Sequence, residues 1–187
     1  SLQASLIERL DRLGEAKEVA QIGAVIGRTF SHDVLAALSS LDEVQLDRAI
    51  EKLVGAGLLD RNGLQATETY TFRHALIRDA AYDCLLRSTR RRLHRAVAEL
   101  LTQGYPDVAG NQLAVVAYHY SQAGDANRAA DASLRAARYA IDRSANAEAV
   151  AHAESGLQAS EKLPKTRERD ELELALQIAL GSAMVAT

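Results

Sequence analysis

Residues 70–86 read YTFRHALIRDAAYDCLL, and this stretch decides the fold. Tyr70 and Phe72 alternate with polar neighbours as a short half-buried strand does, and Arg73-His74 follows at once. A helix comes next, with Leu76, Ile77, Ala80, Ala81 and Cys84 expected on one face. A basic, titratable pair at a strand-to-helix junction is placed to meet an anion, because a helix start offers unpaired N–H groups and a positive dipole end.

The residues before it supply the rest of a small domain. Residues 3–13 predict a helix striped by Leu6, Ile7, Leu10 and Leu13, and residues 15–26 a second one with Val19, Ile22 and Ile26 inward, stopped by Gly27. Ser31 suits the N-cap of a short third helix carrying Val34, Leu35 and Leu38. Asp42 with Gln45 three residues on has the form of a capping box. It opens the most regular helix, with Leu46, Ala49, Ile50, Leu53 and Val54 at helical spacing and Gly57 as its stop. Residues 58–61 and 67–73 predict strands joined through Asn62-Gly63. Helices followed by a β-hairpin give the winged-helix order, with the helix over 42–56 in the place of a recognition helix.

Beyond Arg87 every pattern is helical. Residues 88–103 carry Leu93, Ala96, Val97, Leu100 and Leu101 on one face, and Gly104-Tyr105-Pro106-Asp107 is the strongest breaker in the chain. Paired helices are expected over about 110–123, 126–142, 145–161 and 167–185. Ala117, Tyr120, Gly124 and Ala129 fit a tetratricopeptide-like pattern, in which small residues let helices approach and Tyr fills between them. Tyr118, His119 and Tyr139 either line a groove on these repeats or pack in and around their core. The expected class is mainly α: a linker helix over 1–13, a winged-helix domain with a small β-hairpin over 14–86, and an α-helical repeat (TPR-like) array over 87–187, with a boundary signal near 104–110.

Composition narrows the function. The 187 residues are 48% hydrophobic and only 4% aromatic, with 2 Pro and no Trp, which suits an all-helical array with tight contacts. A net charge of −3 gives no general attraction to nucleic acid or anionic membrane. The single cysteine, Cys84, excludes an internal disulfide and a Cys-based zinc site, and packing is its simpler role. No signal peptide or apolar run long enough to span a bilayer is present, so no membrane is expected and a cytoplasmic location is. Starting at Ser1 rather than Met suits a segment of a longer polypeptide.

Chemistry is sparse. No Walker A, GxSxG, HExxH or GxGxxG pattern occurs, and His32, His74, His94, His119 and His152 show no ligand spacing. No catalytic residue, metal site or cofactor is expected in the chain itself. Arg87, Arg91 and Arg95 recur every four residues and form one row on a helix, either a contact for phosphate or an acidic partner or a solvated face. The helix over 42–56 carries Asp42, Glu43, Asp47 and Glu51 against Arg48 and Lys52. Such a helix repels a phosphate backbone, so a DNA-binding winged-helix regulator is the alternative reading and DNA is not an expected partner.

The segments SLIERLDRL, AKEVAQIGAVIGRTFSHDVLAAL, LDRAIEKLVGAGLLDR and YTFRHALIRDAAYDCLLRSTRRRLHRAVAELL resemble, in order, a block of bacterial signal-transduction ATPases of the STAND/AAA type. SANAEAVAHAESGL and the helix over 168–183 resemble the repeats of the same proteins, which are often fused to class III adenylate/guanylate cyclase domains or LuxR-type regulators. The resemblance implies a non-enzymatic regulatory and protein-interaction segment lying after a P-loop ATPase module. ATP or ADP and Mg would belong to that module, and the repeats would hold an unknown protein or small-molecule ligand. It also implies a role for His74. Related nucleotide switches end their winged helix in a Met-His-Asp motif whose His reaches the ADP phosphate. Residues 72–79, FRHALIRD, resemble that segment, with Ala75 where the motif has Asp. His74, beside Arg73, would then sense nucleotide; a capping or otherwise structural histidine is the other reading.

Overall fold

A computed structural model describes residues 2–63, 68–104 and 110–185. Among them the chain is mainly helical, with one small three-stranded antiparallel sheet. It divides into two compact units, Ser1–Leu93 and His94–Thr187.

The first unit runs α1 (Leu2–Asp11), α2 (Glu15–Ile26), β1 (Thr29–Ser31), α3 (His32–Leu38), α4 (Glu43–Gly55), β2 (Leu59–Asn62), β3 (Thr69–Phe72) and α5 (Ala75–Asp83). Local chemistry sets the boundaries. The Ser31 hydroxyl accepts from the Val34 amide and opens α3. The Asp42 carboxylate accepts from the Gln45 amide at 2.8 Å while the Gln45 side chain accepts from the Asp42 amide at 3.2 Å, a complete capping box on α4. Gly57, at φ +69°, turns the chain out of α4 in a conformation that other residues resist.

The sheet order is β1-β3-β2, so the strand over 69–72 is central, with Phe30 opposite Tyr70 and Leu59 opposite Phe72. β1 is an addition to the expected hairpin: three residues are too few to show a period of two. Its Phe30 is buried, lies 5.6 Å from Phe72 and 5.9 Å from Tyr70, and presses on Gly23, where a Cβ would come within 2.5 Å of the ring. The core joins these rings to Leu35, Leu46, Ile50, Leu53 and Leu58. Leu6 and Leu10 of α1 are buried as well, and α1 packs on α5 and α2.

On α5 the inward residues are Ile77, Ala80 and Ala81. Leu76, expected with them, is 49% exposed, and Cys84 is only half-buried. The burial repeat starts at Ile77, so Leu76 sits about 100° round the helix from that face.

The second unit holds the end of α6 (Arg87–Gly104), then α7 (Gly110–Ala123), α8 (Ala126–Asp142), α9 (Asn146–Ser160) and α10 (Arg167–Val185). The division between the units falls within α6. The expected breaker residues Tyr105, Pro106 and Asp107, and Thr67 before β3, lie outside the described residues. Successive helices from α7 to α10 pack on one another, and α8 also meets α10. Alanine makes most of this core, with Ala129, Ala130, Ala137 and Ala153 buried around Tyr120, Leu134 and Leu176. Short side chains let the backbones close up: a Cβ at Gly156 would collide with Leu176 and stand 3.1 Å from the Ser133 Cβ.

Candidate anion site in the first unit

Arg73 and His74 stand where β3 hands over to α5. The Arg73 amide donates to the Leu58 carbonyl at 3.2 Å, which fixes the junction beside the end of α4. His74 is the N-cap residue of α5 in extended conformation (φ −134°, ψ 141°). Its carbonyl accepts from the Ile77 amide at 3.0 Å, but its imidazole makes no capping hydrogen bond and the residue is exposed. The ring is therefore not spent on capping.

A groove of 820 Å³ opens in front of this pair. Its floor and walls are Leu6, Ala56, Gly57, Ala75, Leu76 and Ile77, and its polar groups are Arg9, Arg28, Arg73 and His74. Leu76, turned away from the core, is one of these walls. Three arginines and a histidine line the groove, and no carboxylate is among the lining residues. Arg9 reaches from α1 to donate to the Ala56 carbonyl at 2.8 Å, satisfying a free acceptor at the end of α4. Arg73 donates twice to Asp60 Oδ1, from Nε at 3.1 Å and Nη2 at 2.7 Å. That hydrogen bond, with the Asp60 charge, raises the Arg73 pKa, so the cation persists at every accessible pH. Gly57 keeps the wall low: a Cβ there would stand 3.0 Å from Arg73 Nη1. The arrangement suits a multiply charged anion with an apolar body. Lacking carboxylates, the lining does not suit a divalent cation.

Two of these four polar residues were singled out from sequence, and two were not. Arg9 and Arg28 come from distant segments, and nothing in their local sequence marks them. Arg87, Arg91 and Arg95 are all exposed on α6. Their neighbour Arg90 instead folds back, donating to the Leu85 carbonyl at 3.0 Å and the Asp83 carbonyl at 3.2 Å with its guanidinium over the Tyr82 ring.

No family model matches the chain, and no solved structure does. An uncharacterized protein of Rhizobium meliloti (strain 1021) is 29% identical over 188 residues, which cover 100% of the chain. The chain spans 18% of that relative's length.

Elsewhere in the first unit the charge is reversed. A second depression, of 470 Å³, is lined by Asp33, Glu43, Asp47, Glu51 and Glu68 with His32 and Arg61. Arg61 is tied to Glu51 at 2.8 Å and His32 lies 3.4 Å from Asp47, so the one arginine here is already matched. No group of three or more metal-ligating side chains occurs among the described residues. In the second unit, His119 is buried, Tyr118 is exposed and Tyr139 is half-buried beneath the Arg143 guanidinium. They do not form one groove wall. Instead His119 meets His94, a pairing that the spacing of the histidines did not reveal.

Proposed function

We propose that this chain is a regulatory, protein-interaction segment of a multidomain signalling ATPase, without catalytic residues of its own. In this reading the first unit is a winged helix and the second a tetratricopeptide-like array. The observation that carries it is the basic groove. Arg73, His74 and the N-terminus of α5 meet there with Arg9 and Arg28, as the diphosphate of a nucleotide held by a P-loop module would require. The element order α-β-α-α-β-β with sheet order β1-β3-β2 supports the winged-helix assignment. Antiparallel helices joined by short turns, with buried Ala117, Tyr120 and Ala129 and a positive-φ Gly124, support the array. A relative more than five times as long leaves room for a nucleotide module and an output domain.

The mechanism is a population shift. Bound ADP, touching His74 and Arg73, favours a closed arrangement, and a partner on the helical repeats favours an open one. The exposed row of Arg87, Arg91 and Arg95 offers an acidic partner a contact. Mg and nucleotide would be held by the P-loop module. In the parent polypeptide, His74→Ala and Arg73→Ala should each accelerate release of a fluorescent ADP, whereas the isolated chain should bind ADP weakly or not at all. Release at the wild-type rate in both variants removes the sensor role.

DNA binding is the other reading of a winged helix. The α4 surface opposes it, because Glu43, Asp47 and Glu51 line an acidic depression there.

A further inference from the structure

We infer that the buried His94–His119 pair is a proton-sensitive latch between α6 and α7: it tolerates one added proton and is parted by a second. Both residues are 1% exposed, and their Nδ1 atoms lie 2.8 Å apart. The ring centroids are 5.0 Å apart, and Tyr118 stands edge-on to both rings at 5.8 and 5.3 Å.

At that separation one Nδ1 must carry a hydrogen and the other its lone pair. In the neutral pair the donor ring is protonated on Nδ1 and bare on Nε2, and the acceptor ring is the opposite tautomer. A first added proton can settle on the donor's Nε2 and leave the contact intact. A second must go to the acceptor's Nδ1, where two N–H groups and two positive charges would face each other away from water. Contact and double protonation therefore exclude each other.

Among the described residues the surrounding charges do not alter this sign. On its own helix His94 is flanked by Arg91, Arg95 and Glu99; α7 adds Tyr118 and Tyr120; α8, packed on α7, adds Arg128, Asp131, Arg135 and Arg138. All of the arginines and Asp131 are exposed, and Glu99 is matched by Arg128 at 2.9 Å. In the unfolded chain both histidines take protons near the ordinary value of about 6.5. The folded pair takes at least one fewer. Stability of the helical unit is thus full above about pH 6.5 and falls below it, by about tenfold in the folding constant per pH unit.

The experiment is urea unfolding of the whole chain at about pH 7.5 and 5.5, read from the amide signals of α8, for the wild type and His119→Gln. The glutamine oxygen can accept from a fully protonated His94, so the variant escapes the clash. Between these pH values the wild-type folding constant should fall about tenfold further than that of the variant. Equal falls overturn the latch. A variant that does not fold leaves the wild-type imidazole ¹⁵N spectrum to decide. At about pH 5.5 the folded pair should hold one added proton, and two fully protonated rings with the His94–His119 contact retained refute the proposal.

Discussion

Gly55 and Gly57 stand two residues apart at the end of α4, and alanine should move stability in opposite directions at the two. Gly55 is helical, and a Cβ there meets nothing within 4 Å. Replacing it removes unfolded-state freedom without a clash, a gain of about 0.5–1 kcal/mol, towards the lower end because the position is terminal. Gly57 has φ +69°, where an L side chain costs about 1–2 kcal/mol. Its new Cβ would also press on Arg73 Nη1 at 3.0 Å. That second effect is the smaller one. Arg73 and Asp60 are each about half-exposed, and an exposed pair contributes at most about 1 kcal/mol. The two variants should therefore differ by about 1.5–3 kcal/mol, with Gly57→Asn between them because Asn tolerates the left-handed region. Urea unfolding followed through the amide signals of α4 and β3 measures this directly. A Gly57→Ala protein as stable as the wild type, or both alanine variants shifting the midpoint the same way, would refute the reasoning.

Two further substitutions test the packing. Gly156→Ala should destabilise the second unit by about 1–3 kcal/mol through overpacking against Leu176 and Ser133, and Leu176→Ala should cost less in that background than alone; additive losses in a double-mutant cycle count against the contact. Burial, and then its 2.7 Å hydrogen bond to Glu68, push the Tyr70 phenol well above its ordinary 10.0. The unfolded chain ionises first, so stability is retained below about pH 10 and lost above it, by up to about tenfold in the folding constant per pH unit. Tyr70→Phe should flatten that alkaline decline, and an unchanged profile would place its cause elsewhere.

The parts of the fold that were legible are those written in neighbouring residues. The capping box of Asp42 and Gln45, the stripe from Leu46 to Leu53 and the stop at Gly57 are all local signals, and α4 follows them. The helices of the second unit were equally legible, because the expected ranges 110–123, 126–142, 145–161 and 167–185 follow apolar residues at helical spacing. What was illegible depends on tertiary placement. β1 has three residues and exists through its pairing with β3. Arg9 and Arg28 join Arg73 and His74 through the packing of α1 and the turn after α2, although Arg28 and Arg73 lie 45 positions apart. His94 and His119 lie 25 positions apart on different helices, so no spacing rule pairs them. Leu76 looked like core because it is apolar; the side it faces is set by where α5 meets α2 and α1, and that side is the groove.

The distribution of charge in the first unit weighs on its partner more than the net charge does. A chain at −3 could be uniformly unsuited to anions, yet three of its arginines line one groove. Arg9, Arg28, Arg73 and His74 share one groove without an acidic lining residue, while Asp33, Glu43, Asp47, Glu51 and Glu68 share another. A duplex laid along α4 would bring a row of phosphates against the second set, and each such approach is repulsive at the spacing of the DNA backbone. A single compact anion entering the first groove meets three arginines, of which Arg73 already carries Asp60, against apolar walls of Leu6, Leu76 and Ile77. The same division makes salt a discriminating variable. In the parent polypeptide, affinity for a small diphosphate should weaken with ionic strength at a slope set by the few cations of the groove, and a long polyanion should gain nothing over it. A steep, length-dependent salt slope would instead mean that a phosphate backbone reaches past α4, and the acidic depression would then have to be reconsidered as the surface that governs recognition.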